Sequence, residues 1–238
     1  MDGRFIVFEG GEGGGKTTQL ARTYQWLYES GWFDRLHAKQ IIRQIVQTRE
    51  PGGTIVGRNI RQLLLEFKPD EPIQDRTELL LYAADRAQHV EGLLRPALAD
   101  GALILCDRYT DSTVAYQGYG RQLDLSLIRQ LNQIATSGLQ SDLTVWLDLD
   151  PVIGLARTGQ RGTRDRIEQA NVDFHQRVHQ GFVALAQQYP DRIIRIDAHQ
   201  SEDHVARQIQ TTLETAFARW WRVTREDEPV NESADNIL

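Results

Sequence analysis

The feature that most constrains this chain is the run Gly10-Gly11-Glu12-Gly13-Gly14-Gly15-Lys16-Thr17, which fits GxxxxGK[ST] and follows the apolar run Phe5 to Phe8. Glycines let successive backbone N–H groups turn inward around an anion. A helix beginning near Thr17 or Thr18 adds the partial positive charge of its N-terminus. In that frame residues Gly10 to Gly15 and Thr18 cradle a triphosphate, Lys16 reaches its outer phosphates and Thr17 can ligate Mg²⁺. The motif fixes a triphosphate and leaves the reaction open, because the same loop serves ATPases, GTPases and kinases.

A strand, a glycine loop and a helix in this order open an α/β chain, and the rest of the sequence continues the alternation. Apolar runs rich in β-formers recur at Phe5 to Phe8, Ile45 to Val46, Ala102 to Cys106, Leu143 to Leu149 and Ile193 to Ile196, separated by helix-compatible stretches. Strands apolar on both faces predict a parallel sheet covered by helices on each side, with ligands at the carboxyl ends of the strands. The stretch Thr77 to Ala99 carries Leu80, Ala83, Ala84, Ala87, Val90, Leu94 and Leu98 at helical spacing, with Pro96 placed to bend its end. Glu202 to Arg222 repeats the pattern with Val205, Ile209, Leu213, Ala216, Phe217 and Trp220, leaving Trp221 off the stripe. Residues 32–43 read as an insertion with helical character before the second strand. We expect one domain over residues 1–222, and an acidic, solvated tail over 223–238.

Composition narrows the function classes. A net charge of -6 repels polyanions, so a nucleic-acid polymer is not the expected partner, whereas a few converging cations can still hold one nucleotide. The single cysteine, Cys106, cannot form an internal disulfide and suits a reducing cytoplasm. No apolar stretch approaches the roughly 20 residues that span a bilayer, and no signal peptide or anchor is expected.

The reaction has to be read from a second group of residues. The third strand runs into Asp107-Arg108, which brings a carboxylate toward the Mg²⁺ beside Thr17. Water-activating NTPases need no second phosphate site, whereas a kinase needs cations that hold an acceptor phosphate in line. Arg49, Arg61, Arg86 and Arg108 could supply them. Tyr82 and Arg86 stand four residues apart on one helix face, where a ring can stack on a base and a guanidinium can donate to its carbonyl.

Over most of its length the chain resembles the bacterial thymidylate kinases. The resemblance rests on FEGGEGGGKTT (8–18), TREPGGT (48–54), LLLYAADR (79–86), DRYTDSTVAYQG (107–118), LDLDP with GLAR through Arg157, and RGTRDRIE (161–168). It implies a P-loop kinase with a five-stranded parallel sheet and a mobile lid over about 158–170. It also implies Mg²⁺-ATP as donor, dTMP as acceptor and a homodimer. By similarity, Arg49 and Arg108 would hold the dTMP phosphate and Arg61 would line that site. Tyr82 would stack on thymine, Arg86 would reach a thymine carbonyl, and Thr113 and Gln117 would line the base pocket. Glu12 would contact the sugar or a metal-bound water, Tyr116 would disfavour a 2′-hydroxyl, and Arg157 would border the adenine.

Arg157, Arg161, Arg164 and Arg166 are interspersed with Gly159 and Gly162, a cationic stretch suited to closing over ATP. In some relatives a catalytic arginine follows the acidic P-loop residue. Here that position is Gly13, which points to Arg161 and Arg164 as the candidates. Direct in-line transfer would then rest on Lys16, Asp107, Arg108 and a lid arginine. A kinase for another monophosphate such as dUMP, or for a deoxynucleoside, and a regulatory P-loop ATPase are the competing readings.

Overall fold

A computed structural model describes residues 3–66, 70–159 and 165–225. Five parallel strands, β1 (Arg4–Glu9), β2 (Gln44–Arg49), β3 (Ala102–Asp107), β4 (Leu143–Asp148) and β5 (Ile193–Asp197), form one sheet in the order β2-β3-β1-β4-β5. The chain reverses direction across the sheet at β1, so the loop after β1 opens at the crevice between β3 and β4. In β1, Ile6 and Phe8 face one core while Phe5 and Val7 face the other. That two-sided burial is why the central strands are mainly apolar, with their carboxylates at the carboxyl ends.

Helices α1 (Lys16–Glu29), α2 (Trp32–Ala38) and α10 (Glu202–Trp221) line the first core. The expected insertion is part of that core. Trp32 and Leu36 on α2 are fully buried, and Trp32 meets Phe217 edge-on and donates from Nε1 to Glu214. Trp221 does not lie off the packed face of α10: it stacks on Phe217 at 5.3 Å. Val223 is buried in the same cluster, so the core extends past residue 222. Residues 226–238, most of the expected tail, lie outside the described residues.

The other elements are α3 (Ile55–Leu65), α4 (Asp75–His89), a π-helical turn (Val90–Leu94), α5 (Arg95–Ala99), α6 (Thr110–Thr113), a second π-helical turn (Val114–Gly120), α7 (Leu125–Thr136), α8 (Pro151–Gly159) and α9 (Val172–Gln188). The helix expected over 77–99 is therefore interrupted by a π turn before Pro96, and it starts two residues earlier. Val90 and Leu94 of the expected stripe are fully buried, but over α4 the buried face differs from it. Leu80 is 56 % exposed, whereas Glu78, Leu79, Asp85, Arg86 and His89 are buried. A helix that buries charged side chains in place of its alanines is serving a polar cleft.

Candidate active site

The P-loop connects β1 to α1 and ends on Gly15, whose φ of +84° is left-handed and whose position caps α1 with no side-chain acceptor. The first N–H groups of the helix therefore have no side-chain cap, the arrangement that suits an anion at a helix N-terminus. Lys16 is buried and donates from Nζ to the carbonyls of Gly10 (3.1 Å) and Gly11 (2.7 Å), holding the loop around its own cation. Burial and then Arg108 depress the Lys16 pKa, while Glu12, Asp107 and Glu9 oppose the shift. Gly13 has a second reason to lack a side chain. A Cβ there would lie 2.2 Å from the carbonyl of Gly154 on α8, and one on Gly154 would lie 2.2 Å from the carbonyl of Glu12. The two glycines pack back to back, a contact no local pattern announces.

Thr17 and Asp107 meet from different elements. The Thr17 hydroxyl donates to Asp107 Oδ2 at 3.1 Å, and Asp107 Oδ1 is buried with no partner among the described residues. Hydroxyl and carboxylate oxygens completed by nucleotide phosphates are the donor set Mg²⁺ favours. Among the described residues no group of three His, Cys, Asp or Glu could cage an ion without a nucleotide. The residues present thus fit a metal that is held jointly with the triphosphate.

Arg108 follows β3 with φ +71°, an uncommon conformation for a non-glycine residue that turns its side chain back over the P-loop. Its guanidinium donates to Glu12 Oε1 (2.7 Å), the Tyr116 hydroxyl (3.0 Å), the Gly10 carbonyl (3.0 Å) and Ser112 Oγ (3.1 Å). Tyr116 in turn donates to Glu12 at 2.7 Å, and the guanidinium lies over its ring. Burial alone would raise the Glu12 pKa, but Arg108, Lys16 and the Tyr116 hydroxyl outweigh it and hold the carboxyl at about 2. Behind them Glu9, fully buried at the end of β1, accepts from the Tyr109 N–H, the Ser112 N–H and the Ser112 hydroxyl. Burial, with Asp111 adding to it, pushes its carboxyl up to about 7.

These groups share a cleft of about 230 Å³ that contains Glu12 to Thr18, Arg49, Arg61, Tyr82, Arg86, Asp107, Arg108, Thr113, Tyr116 and Gln117. Gly10 and Gly11 reach it through their carbonyl bonds to Lys16. Arg49 is exposed, and Arg61 is held by the Pro51 carbonyl at 3.2 Å. Burial and then the neighbouring Arg49 lower the Arg61 pKa, so two like charges lie close together in the cleft. Arg86 is 2 % exposed and is bonded to Glu50 (2.9 Å), Asn132 (2.8 Å) and the Tyr109 carbonyl (3.1 Å). It therefore anchors the 48–54 loop to α4 as well as lining the cleft. Tyr116 and Gln117 sit on the second π turn, which bulges them inward; π turns cluster at functional sites.

Arg157 lies in the last turn of α8 and is not among the residues that line the cleft, although its neighbour Thr158 is. Arg161 and Arg164 fall in 160–164, outside the described residues. Residues the motifs did not single out also contribute. Ser112 and Glu9 buttress Arg108, Glu50 and His89 brace Arg86, and Glu78 holds Gln117. Only the Tyr-Arg spacing on α4 hinted that this helix faces inward.

A parallel sheet with a P-loop after its first strand, and a cleft in which Lys16 is joined by Arg49, Arg61 and Arg108, are the features of a P-loop nucleoside monophosphate kinase. The family model for thymidylate kinase matches residues 8–209. The chain belongs to the thymidylate kinase family. It is 58 % identical to a thymidylate kinase of Acaryochloris marina, covering 93 % of this chain and 100 % of the relative. It is 59 % identical to one of Cyanothece sp., covering 93 % and 97 %. A solved thymidylate kinase structure from Ehrlichia chaffeensis superposes with a TM-score of 0.68 at 31 % identity, over 90 % of this chain and 99 % of that one.

Proposed function

We propose that this protein transfers the γ-phosphoryl group of Mg²⁺-ATP directly to the phosphate of dTMP, giving dTDP and ADP in the supply of dTTP. The observation that carries this reading is the convergence of Lys16, from the triphosphate loop, with Arg49, Arg61 and Arg108 in one cleft that Tyr82, Arg86 and Gln117 also line. A hydrolase has no use for the second set. The acceptor oxygen is already anionic, so no general base is needed. As its bond to phosphorus forms, the bond to the bridging oxygen breaks and the charge leaves on ADP. Lys16 offsets charge on the donor, Arg108 holds the acceptor in line, and a lid arginine, Arg161 or Arg164, completes the neutralisation. Mg²⁺, held by Thr17 and Asp107, supplies further charge neutralisation on the phosphates.

Tyr116 fills the space a 2′-hydroxyl would need, and Glu12 meets the sugar or a metal-bound water. Thr113 lines the base end, and Arg157 borders the adenine once the lid has closed. A cytoplasmic setting agrees with the lone buried thiol of Cys106. No helix among the described residues is long and apolar enough to cross a membrane.

The protein acts as a homodimer in this reading. Ile55 and Leu63 on α3, Leu80 on α4 and Ile134 on α7 leave large apolar side chains exposed on three helices packed in a row. Sedimentation at twice the 27.2 kDa of one chain is expected, and a Leu80→Glu chain should sediment as a monomer.

A coupled ADP-release assay with Mg²⁺-ATP and a panel of dTMP, dUMP, dCMP and dAMP tests the reaction. Turnover is expected to be fastest with dTMP. Rapid ADP release without any acceptor would refute the kinase reading in favour of a regulatory ATPase.

A further inference from the structure

Glu78 lies on α4, one turn before Tyr82, and is fully buried behind the cleft it does not itself line. Four donors converge on its carboxylate. Oε1 accepts Gln117 Nε2 (2.7 Å) and Arg121 Nε (3.2 Å), while Oε2 accepts Arg121 Nη2 (3.1 Å) and Arg166 Nη2. Burial opposes ionisation, but the Arg121 hydrogen bonds and charge, with Arg166 and Gln117, hold the pKa below the usual carboxylate range. An ionised carboxylate only accepts, so Gln117 must turn its NH₂ toward Glu78. The other polar atom of the amide, Oε1, has no partner among the described residues and belongs to the cleft-lining side chain.

We propose that Glu78 is a positioning residue for base recognition: it locks the Gln117 amide so that Oε1 faces the acceptor base and takes a ring N–H beside a carbonyl, as in thymine and uracil. The inference rests on the reading that dTMP binds with its base at Tyr82, Arg86 and Gln117. Each terminal nitrogen of Arg86 uses one hydrogen on Asn132 or Tyr109 and keeps one more, and it can only donate. A donor from Arg86 beside an acceptor from Gln117 matches O4 and N3–H of thymine. Cytosine presents the reverse pattern, with an amino group against the guanidinium and a bare ring nitrogen against the amide oxygen.

The Glu78→Gln variant tests this. Its new NH₂ group is best accommodated at the Oε1 position, since Oε2 meets two cationic donors and Oε1 only one. Gln117 must then reverse and present NH₂ to the base. The ratio of kcat/KM for dTMP over dCMP is expected to fall at least about tenfold, the effect of turning a matched buried hydrogen bond into a mismatch. Arg121→Gln keeps the carboxylate and should keep the ratio even if it lowers Tm. An equal loss of selectivity in Arg121→Gln would mean general loosening and overturn the proposal. Gln117→Leu separates the two readings. An unchanged KM for dTMP would remove the base from Gln117 altogether. A raised KM together with a wild-type ratio in Glu78→Gln would overturn the Glu78 role alone. Should Glu78→Gln not fold, the imino proton of dTMP labelled with ¹⁵N at N3 reads the amide orientation in the wild-type complex. Slowed exchange is expected, and exchange as fast as in the free nucleotide would overturn the proposal.

Discussion

Arg108 is bonded to Glu12 at 2.7 Å, so the guanidinium that follows β3 is joined to the carboxylate of the P-loop. The pair is partly shielded from water, with Tyr116 bridging it, and Coulomb attraction there is stronger than at an open surface. The guanidinium is thereby held in one orientation over the P-loop. The positive φ of Arg108 is what aims it there.

Lys16 is the cation the donor loop is folded around. Replacing it with alanine should lower kcat by about 10³-fold or more in the coupled ADP-release assay, because a desolvated charge acting on the transferring group is lost. Retention of near-wild-type turnover would sink the mechanism.

The contact between Gly13 and Gly154 makes α8 a support for the P-loop. A Gly154→Ala chain has to displace the Glu12 carbonyl, which its Cβ would meet at 2.2 Å. The KM for ATP should rise about tenfold or more, an effect of about 1.4 kcal/mol or greater on loop geometry. ATP titrations of the variant and the wild type measure it; equal KM values would mean the loop yields without cost.

Glu9 gives the fold a pH dependence of definite sign. Its carboxyl rises from an ordinary 4.5 to about 7 on folding, so the folded chain binds more protons than the unfolded chain between those values. Stability from this group is present below the unfolded pKa and is lost as pH rises toward 7, by roughly 3 kcal/mol at most. Asp85, raised to about 6 by burial and Glu50, acts in the same direction. Glu9→Gln should flatten the decline in denaturant-derived stability between pH 5 and 7.5; a decline as steep as in the wild type would contradict the shift.

Trp32 carries the inserted helix into the main core. Trp32→Ala should cost about 3–5 kcal/mol of unfolding free energy, as for other large aromatic deletions from a close-packed site. Chemical denaturation measures the loss. The folded fraction should retain its turnover, since no residue of α2 lines the cleft.

Legibility followed the range of the interaction. The central strands could be read because burial on both faces favours apolar residues on both sides of the strand, and the sheet has the five strands and parallel sense that pattern implies. The buried face of α4 could not be read by hydrophobic periodicity, because the partners of Glu78, Asp85 and Arg86 are distant in sequence. Arg86 finds Glu50 and Asn132, Glu78 finds Gln117, Arg121 and Arg166, and Asp85 takes the Gly52 N–H. Leu80, the residue the stripe would bury, stays outside.

By itself the sequence determined what depends on local chemistry: a glycine loop between strand and helix that suits an anion, strands that must lie inside a sheet, and arginines enough for a second phosphate. The tertiary structure decided which polar groups are desolvated together. It put Gly154 against Gly13, Arg108 on Glu12 and Glu78 behind Gln117, contacts that exist only once the crossovers bring β3, α4 and α8 around the end of β1. Hydrogen-bond direction inside such a cluster depends on partners far apart along the chain, and periodicity carries no record of them.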